Sequence, residues 1–304
     1  MTLWTTFLQF QGVRWVFTIC VALMSFLIGQ FGTPYCKAFH WDDESINMPF
    51  AAQEIFPNWS LVLIVAVPIG VQGLVIFFLP RKNFMFPATA NTTPRRQLLL
   101  ELNSWALIQI QALMLQLMFV DTMKLYAGRL RPDFLDRLRS VGLTAETGLQ
   151  YHCELMSNSV VRQGRLSFPS GHSSTSFAAM VPFTIFLMHY FRPWLHGCII
   201  RLVLSLLPLY LAFFVAVSRT RDNRHHFADI LAGSIIGVFA AFGAFLINLK
   251  YSGSVGNFDP RMYGPASMEE GILHVHNQEQ QQHQNIGVIP SFGATSQSMR
   301  AAEA

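Results

Sequence analysis

Apolar residues dominate six stretches of the chain, at roughly residues 15–31, 60–80, 102–120, 175–191, 199–217 and 227–249, each near the about 20 residues that a helix needs to cross a bilayer. The pattern predicts an all-α, polytopic membrane protein with six transmembrane helices. The third stretch is the most interrupted, by Asn103, Gln109, Gln111 and Gln116. Intramembrane amides usually face other helices, where their hydrogen bonds can be satisfied, so packing within the bundle is expected of them rather than substrate contact. In the sixth, Gly233 and Gly237 form a GxxxG step that lets a neighbouring helix approach closely. Beyond Lys250 the pattern stops. The chain turns to Gly, Ser, Pro and Gln, including NQEQQQHQN, with too few apolar side chains to offset the entropy of folding. Residues 1–250 therefore read as one six-span domain and residues 251–304 as a disordered tail, whose His274, His276 and His283 are expected to be solvated rather than metal-bound.

Composition agrees with a bilayer as solvent: 52% of the 304 residues are hydrophobic and only 12% charged, which argues against two soluble domains. Only Arg14 precedes the first apolar stretch and no small-residue cleavage site follows it, so that stretch is expected to stay as an anchor. Of the four cysteines, Cys36 and Cys153 fall in loops separated by an even number of crossings and share one side. A disulfide between them would need that side to be oxidising, and free thiols are the expectation; no Cys/His spacing suggests zinc.

Six crossings place the loops after spans one, three and five on one face. Parity thus brings DTMKLYAGRLRPDF (121–134) and RLSFPSGHSS (165–174), from the two ends of the connection between spans three and four, beside SRTRDNRHHFAD (218–229). Lys and Arg divide eleven to ten between this face and the other, so the positive-inside rule does not orient the chain, and the cations here are free for another purpose, such as holding an anion. In the second cluster, Pro169, Ser170, Gly171 and His172 precede an apolar run. They sit where a spanning helix begins, with unpaired N–H groups and the positive end of its dipole turned outward, a setting for phosphate; a plain Ser-Gly N-cap is the ordinary alternative. In the third, His225 and Asp229 are four apart, so that the carboxylate could fix an imidazole tautomer, while His226 and Asp229, three apart, could also meet; spacing does not choose between the histidines. In the first, Lys124 and Arg131 are seven apart, two helical turns, with Pro132 turning the chain away just afterward.

KLYAGRLRP (124–132), PSGH (169–172) and SRTRDNRHHFAD (218–229) resemble the three signature motifs of the type 2 phosphatidic acid phosphatase superfamily, in order and internal spacing. GRLRPDF, FPSGHSS, DDESI after span one and the six-span layout are most similar to its integral-membrane lipid phosphate phosphatases; the likeness covers about residues 15–250. The resemblance implies an active site at one bilayer edge. There His225 would be the nucleophile, Asp229 its orienting carboxylate, and His172 the acid that protonates the leaving alkoxide and then activates water. Lys124, Arg131, Ser170, Gly171 and Arg219 would hold the phosphoryl oxygens. It also implies lipid phosphomonoester substrates: phosphatidic acid, its lyso form and sphingoid phosphates.

Phosphoryl transfer is catalysed mainly by positioning and by stabilising charge on the equatorial oxygens, which these cations and a helix N-terminus can do, so turnover without magnesium or any other cofactor is expected. The expected partners are a lipid phosphate within the bilayer and water as acceptor. No nucleic acid is expected, and homo-oligomerisation is left open. The same motifs would serve a phosphotransferase with an alcohol acceptor. An anion transporter is disfavoured because the charges lie at a membrane edge and not in the span centres. A soluble-substrate phosphatase fits the six-span layout less well, and a vanadium haloperoxidase least. The resemblance implies a lumenal or extracellular catalytic face and cytosolic termini, which sequons at Asn58 (catalytic face) and Asn91 (opposite face) would test.

Overall fold

Long apolar stretches become long helices because no other backbone arrangement satisfies its own hydrogen bonds in lipid except a closed barrel. The computed structural model of the chain describes residues 3–80, 84–86, 93–147, 153–194, 197–251 and 258–260. The chain divides into two units: residues 1–9 with 262–304, of which the short helix α1 (Leu3–Gln9) is described, and residues 10–261, which hold every element discussed below. In the second unit, α2 (Gly12–Phe31), α3 (Ser60–Phe78), α4 (Pro94–Ala127), α7 (Gly171–Phe191), α8 (Ile199–Arg221) and α9 (Phe227–Asn248) are long and apolar enough to cross a membrane. They correspond one for one to the six expected spans.

The boundaries differ where capping decides them. At 34 residues α4 far exceeds its apolar stretch: Thr93 accepts from the Arg96 N–H at one end with Pro94 just inside, and Gly128, at a φ of 51°, closes the other. Lys124 thus rides on the last turn of α4, and the helix stops before Arg131. The two-turn relation expected between these cations is therefore not formed; a left-handed glycine, not Pro132, ends the helix. His226, rather than His225, is the N-cap of α9, so His225 and Asp229 do not share a helical face as expected.

The central helix is α7, two-thirds buried along its span against 44% or less for the others. Small residues permit this: Ser173, Ser174, Ser176, Ala178 and Ala179 all face neighbours. The GxxxG step of α9 packs here as expected, since a Cβ on Gly233 or Gly237 would collide with the carbonyl oxygen of Ser170 or Ser174. Gly237→Ala is expected to destabilise the bundle by roughly 1–3 kcal/mol, as overpacking does, which thermal unfolding in detergent would register. The amides of α4 are also packing groups. Gln109 donates to the Ala179 carbonyl (2.7 Å), Gln116 to Thr175 (3.1 Å) and Asn103 to the Phe10 carbonyl (3.2 Å), while Gln111 accepts from Asn248 (2.7 Å). Phe77, Phe78, Phe213 and Phe214 are more than half exposed, the side chains lipid would cover.

A second core caps one end of the bundle, where Phe39 and Ile46 of the first loop pack with Leu130, Phe134 and Leu138 from and beside α5 (Phe134–Ser140), and Val161 of α6 (Ser159–Gly164). Hydrogen bonds tie down the loop and the end of α2: the Tyr35 N–H donates to the Leu125 carbonyl (2.7 Å), and the Arg162 guanidinium to the carbonyls of Gly29 and Gly32 (2.9 Å each). Cys36 and Cys153, expected as free thiols, are joined by a disulfide with their Cα atoms 5.9 Å apart. The docking of this loop brings them together, a contact across 117 residues that spacing did not reveal. After α9, β1 (Leu249–Tyr251) pairs antiparallel with β2 (Phe258–Pro260), just beyond the compositional break. The rest of the tail assigned to 251–304 lies outside the described residues.

Candidate active site

The loop cap and the ends of the long helices enclose a cavity of about 450 Å³. Lys124 reaches it from the last turn of α4, Arg131 from the loop after it, Gly171 and His172 from the first turn of α7, Arg219 from the last turn of α8, and His225 from the turn before α9. Six of the eight expected site residues thus line one space, although they are spread over about a hundred positions of chain. Several nitrogens of these side chains are left without a protein partner. Among the described residues, the buried Nε atoms of Arg131, Arg219 and Arg224 and Nε2 of His172 have no hydrogen-bond partner. Buried donors are rarely left so, and three guanidinium Nε–H groups around one cavity describe a site built to receive an acceptor-rich anion. Burial, then the neighbouring Arg137, lower Arg131 to about 10, which still leaves it charged at neutral pH.

Geometry separates the two histidines that spacing left open. His226 is tied at both ring nitrogens, Nδ1 to Asp229 (3.3 Å) and Nε2 to the Ser45 carbonyl (3.2 Å), and does not line the cavity. His225 is only 4% exposed, and its Nδ1 lies 2.7 Å from the Ser167 carbonyl oxygen, which can only accept. The proton therefore sits on Nδ1, and Nε2 carries the lone pair. Burial brings His225 down to about 3, partly opposed by Asp229 and reinforced by Arg131 and Lys124, so the ring is neutral at physiological pH. The unfolded chain takes up this proton near pH 6.5, whereas the folded site refuses it until about 3. Stability attributable to this group is present above 6.5 and is lost as pH falls through that window. The melting temperature of the parent should accordingly fall more steeply than that of His225→Ala between pH 6.5 and 4.

Asp229 is placed less directly than expected. Its carboxylate is 3.9 Å from His225 Nδ1 and spends its close bonds elsewhere, accepting from the Ser167 hydroxyl (2.6 Å), Arg129 (2.7 Å) and the His226 N–H (3.0 Å). Ser167 stands between the two, its hydroxyl on Asp229 and its carbonyl on His225. Asp229 thus orients the imidazole largely through Ser167, a residue the sequence analysis did not single out.

Ser170 also departs from expectation. Fully buried, it is the N-cap of α7, its Oγ accepting from the Ser173 N–H (3.4 Å) and hydroxyl (3.0 Å), and it does not line the cavity. The plain N-cap, the ordinary alternative for this motif, describes its side chain. Gly171 behaves as a close-approach residue: a Cβ there would sit 2.9 Å from Lys124 Nζ. Three more charged residues missed in the sequence line the same wall: Glu54, Asp121 and Arg137. Glu54 comes from the loop between α2 and α3, paired with Arg219 and Arg224 at 2.6 Å each. Leu61 of α3 and Leu117 and Val120 of α4 give the same lining an apolar part.

Comparison with known proteins gives the same direction. Residues 105–252 match the family described as the PAP2 superfamily. A Drosophila melanogaster protein named "Putative phosphatidate phosphatase" is 32% identical over 252 residues, covering 76% of this chain and 66% of that protein. A Schizosaccharomyces pombe protein named "Probable diacylglycerol pyrophosphate phosphatase 1" is 30% identical over 268 residues, 85% of this chain and 88% of its own. Diacylglycerol pyrophosphate phosphatase 1 of Saccharomyces cerevisiae is 29% identical over 246 residues, 76% and 78% of the two chains. The chain spans about two thirds of the length of the fly relative. No solved structure matches.

Proposed function

Because the chain belongs to the PAP2 superfamily, of the type 2 phosphatidic acid phosphatase kind, we propose that it is a lipid phosphate phosphatase that hydrolyses phosphomonoesters at one edge of the bilayer through a phosphohistidine. The observation that carries this reading is the mixed lining of the cavity: His225, His172, Lys124 and four guanidinium groups, together with Leu61, Leu117 and Val120 of two membrane helices. A phosphate group satisfies the polar side chains and an acyl-bearing alcohol the apolar ones.

In the first half-reaction Nε2 of His225 forms a bond to phosphorus as the ester P–O bond breaks, and the departing alkoxide takes a proton from His172. In the second, water gives a proton to His172 as its oxygen attacks phosphorus; the N–P bond breaks and inorganic phosphate leaves. Lys124, Arg131 and Arg219 face the charge that spreads over the equatorial oxygens. The lining offers Lys124, Arg131, Arg137, Arg219 and Arg224 against the carboxylates of Glu54 and Asp121, a donor set for an anion rather than for a divalent cation.

Phosphate release from phosphatidate in mixed micelles with excess chelator tests reaction and metal need together. Turnover within twofold of the magnesium-supplemented rate is expected, and loss of activity on chelation would refute the metal-free reading. The panel should include an alcohol acceptor, because a new phospholipid instead of free phosphate would make the protein a transferase. A lipid pyrophosphate belongs there too. A neighbouring space of about 320 Å³, walled in part by Arg162, shares Lys124 and Arg131 with the cavity, and two relatives carry pyrophosphate substrates in their names. The proposed orientation puts this face in a lumen or outside the cell. Asn58 lines the cavity while Asn91 lies outside the described residues, so a glycan on Asn91 would invert the topology.

A further inference from the structure

Arg219 and Arg224 are both anchored without Glu54. Nη1 of Arg219 donates to the Phe56 carbonyl (2.8 Å) and to Asp222 (3.1 Å). Arg224 donates to the Ala51 carbonyl (3.3 Å) and Asp133 (3.4 Å), and its guanidinium lies 4.4 Å over the Phe50 ring. The loop that carries Glu54 is itself pinned on both sides: Asn223 donates to the Pro49 carbonyl (3.0 Å), and the Ile55 N–H to Asp222 (3.2 Å). Two guanidinium groups held this firmly do not require a further carboxylate for their position.

What Glu54 does occupy is the useful edge of each. A guanidinium clasps a phosphate or carboxylate bidentately through two adjacent N–H groups, such as Nε and the neighbouring Nη2. On Arg219 and on Arg224 alike, Nε has no partner and Nη2 is taken by Glu54, at 2.6 Å. The side chain of Glu54 is 18% exposed, against 2% and 8% for the arginines, so of the three it is the one with room to swing away. A bound phosphoryl group and an ionised Glu54 on the same two forks would repel one another. Without such a competitor, a cavity lined by five cations would hold inorganic phosphate, the product, as readily as it holds substrate.

We infer that Glu54 is an internal anion that trades places with the phosphoryl group on Arg219 and Arg224, leaving when substrate binds and returning to expel phosphate. The inference rests on the reading of the cavity as a phosphoryl site. It is tested by binding of radiolabelled inorganic phosphate to the purified full-length chain in detergent, comparing parent, Glu54→Gln, Glu54→Asp and Lys124→Ala. Glu54→Gln should bind phosphate about tenfold more tightly, the size of a typical coupling between competing sites. Inhibition by phosphate should tighten in parallel, and Glu54→Asp, which keeps the charge, should stay near the parent. A carboxylate that merely props up the arginines predicts the opposite sign: unchanged or weaker phosphate binding by Glu54→Gln would overturn the exchange, while weakening in Lys124→Ala would leave the phosphoryl-site reading standing. If neither the parent nor Glu54→Gln binds phosphate, both fall together.

Discussion

His225→Ala should lower phosphate release by about 10⁴-fold or more, the loss typical of removing a covalent nucleophile. The size follows from the geometry. His225 presents Nε2 with its lone pair because the Ser167 carbonyl holds the proton on Nδ1. The other cavity-lining imidazole, His172, sits on the first turn of α7, and nothing comparable fixes its tautomer among the described contacts. The fold should survive, since the ring lines a polar cavity and the lost bond to a carbonyl can pass to water. The decisive measurements are phosphate release from phosphatidate, melting temperature in detergent, and acid-labile label on the protein after mixing with ³²P substrate. Release within tenfold of the parent would end the phosphohistidine reading.

The membrane architecture could be read from the sequence because it depends on local quantities: six apolar runs of sufficient length, and a parity that puts three polar clusters on one face. The same logic brought the clusters holding Lys124, Arg131, His172, Arg219 and His225 to one face, because each sits near a helix end; the choice of His225 over His226 and of Arg219 among its neighbours came only from the family resemblance. Most misread features turned on contacts between distant segments. Glu54 lies 165 positions from Arg219 in a loop without periodicity, and nothing local marks it as facing the arginines. Ser167 acts through its carbonyl, which every residue possesses, so its role leaves no trace in residue type. Cys36 pairs with Cys153 because the loop after α2 docks onto α4 and α6, and spacing could only place the two on one side. The end of α4 was missed for a different reason: Pro132 is the stronger breaker, but Gly128 comes first and its left-handed conformation ends the helix before the proline acts.

Lys124→Ala is expected to cost about 10²–10³ in kcat/KM, comparable to loss of a preorganised charge-stabilising donor. Lys124 projects from the last turn of α4 toward the first turn of α7, so close to Gly171 that a methyl group there would come within 2.9 Å of its ammonium. Two sources of positive potential, the ammonium and the exposed N–H groups of a helix start, thus converge on one spot, an arrangement that is unfavourable until an anion lies between them. Charge alone does not define the site. Lys124→Arg keeps the cation but must fit a planar fork into space shaped by a glycine backbone, and should recover only part of the loss. Gly171→Ala should impair turnover by displacing the ammonium while the helix itself persists. Steady-state kinetics on phosphatidate, with thermal unfolding as the control for folding, separates these effects. If Lys124→Ala retains kcat/KM within threefold of the parent, the ammonium does not contact the reacting phosphoryl group, and the catalytic field must be assigned to Arg131 and Arg219 alone.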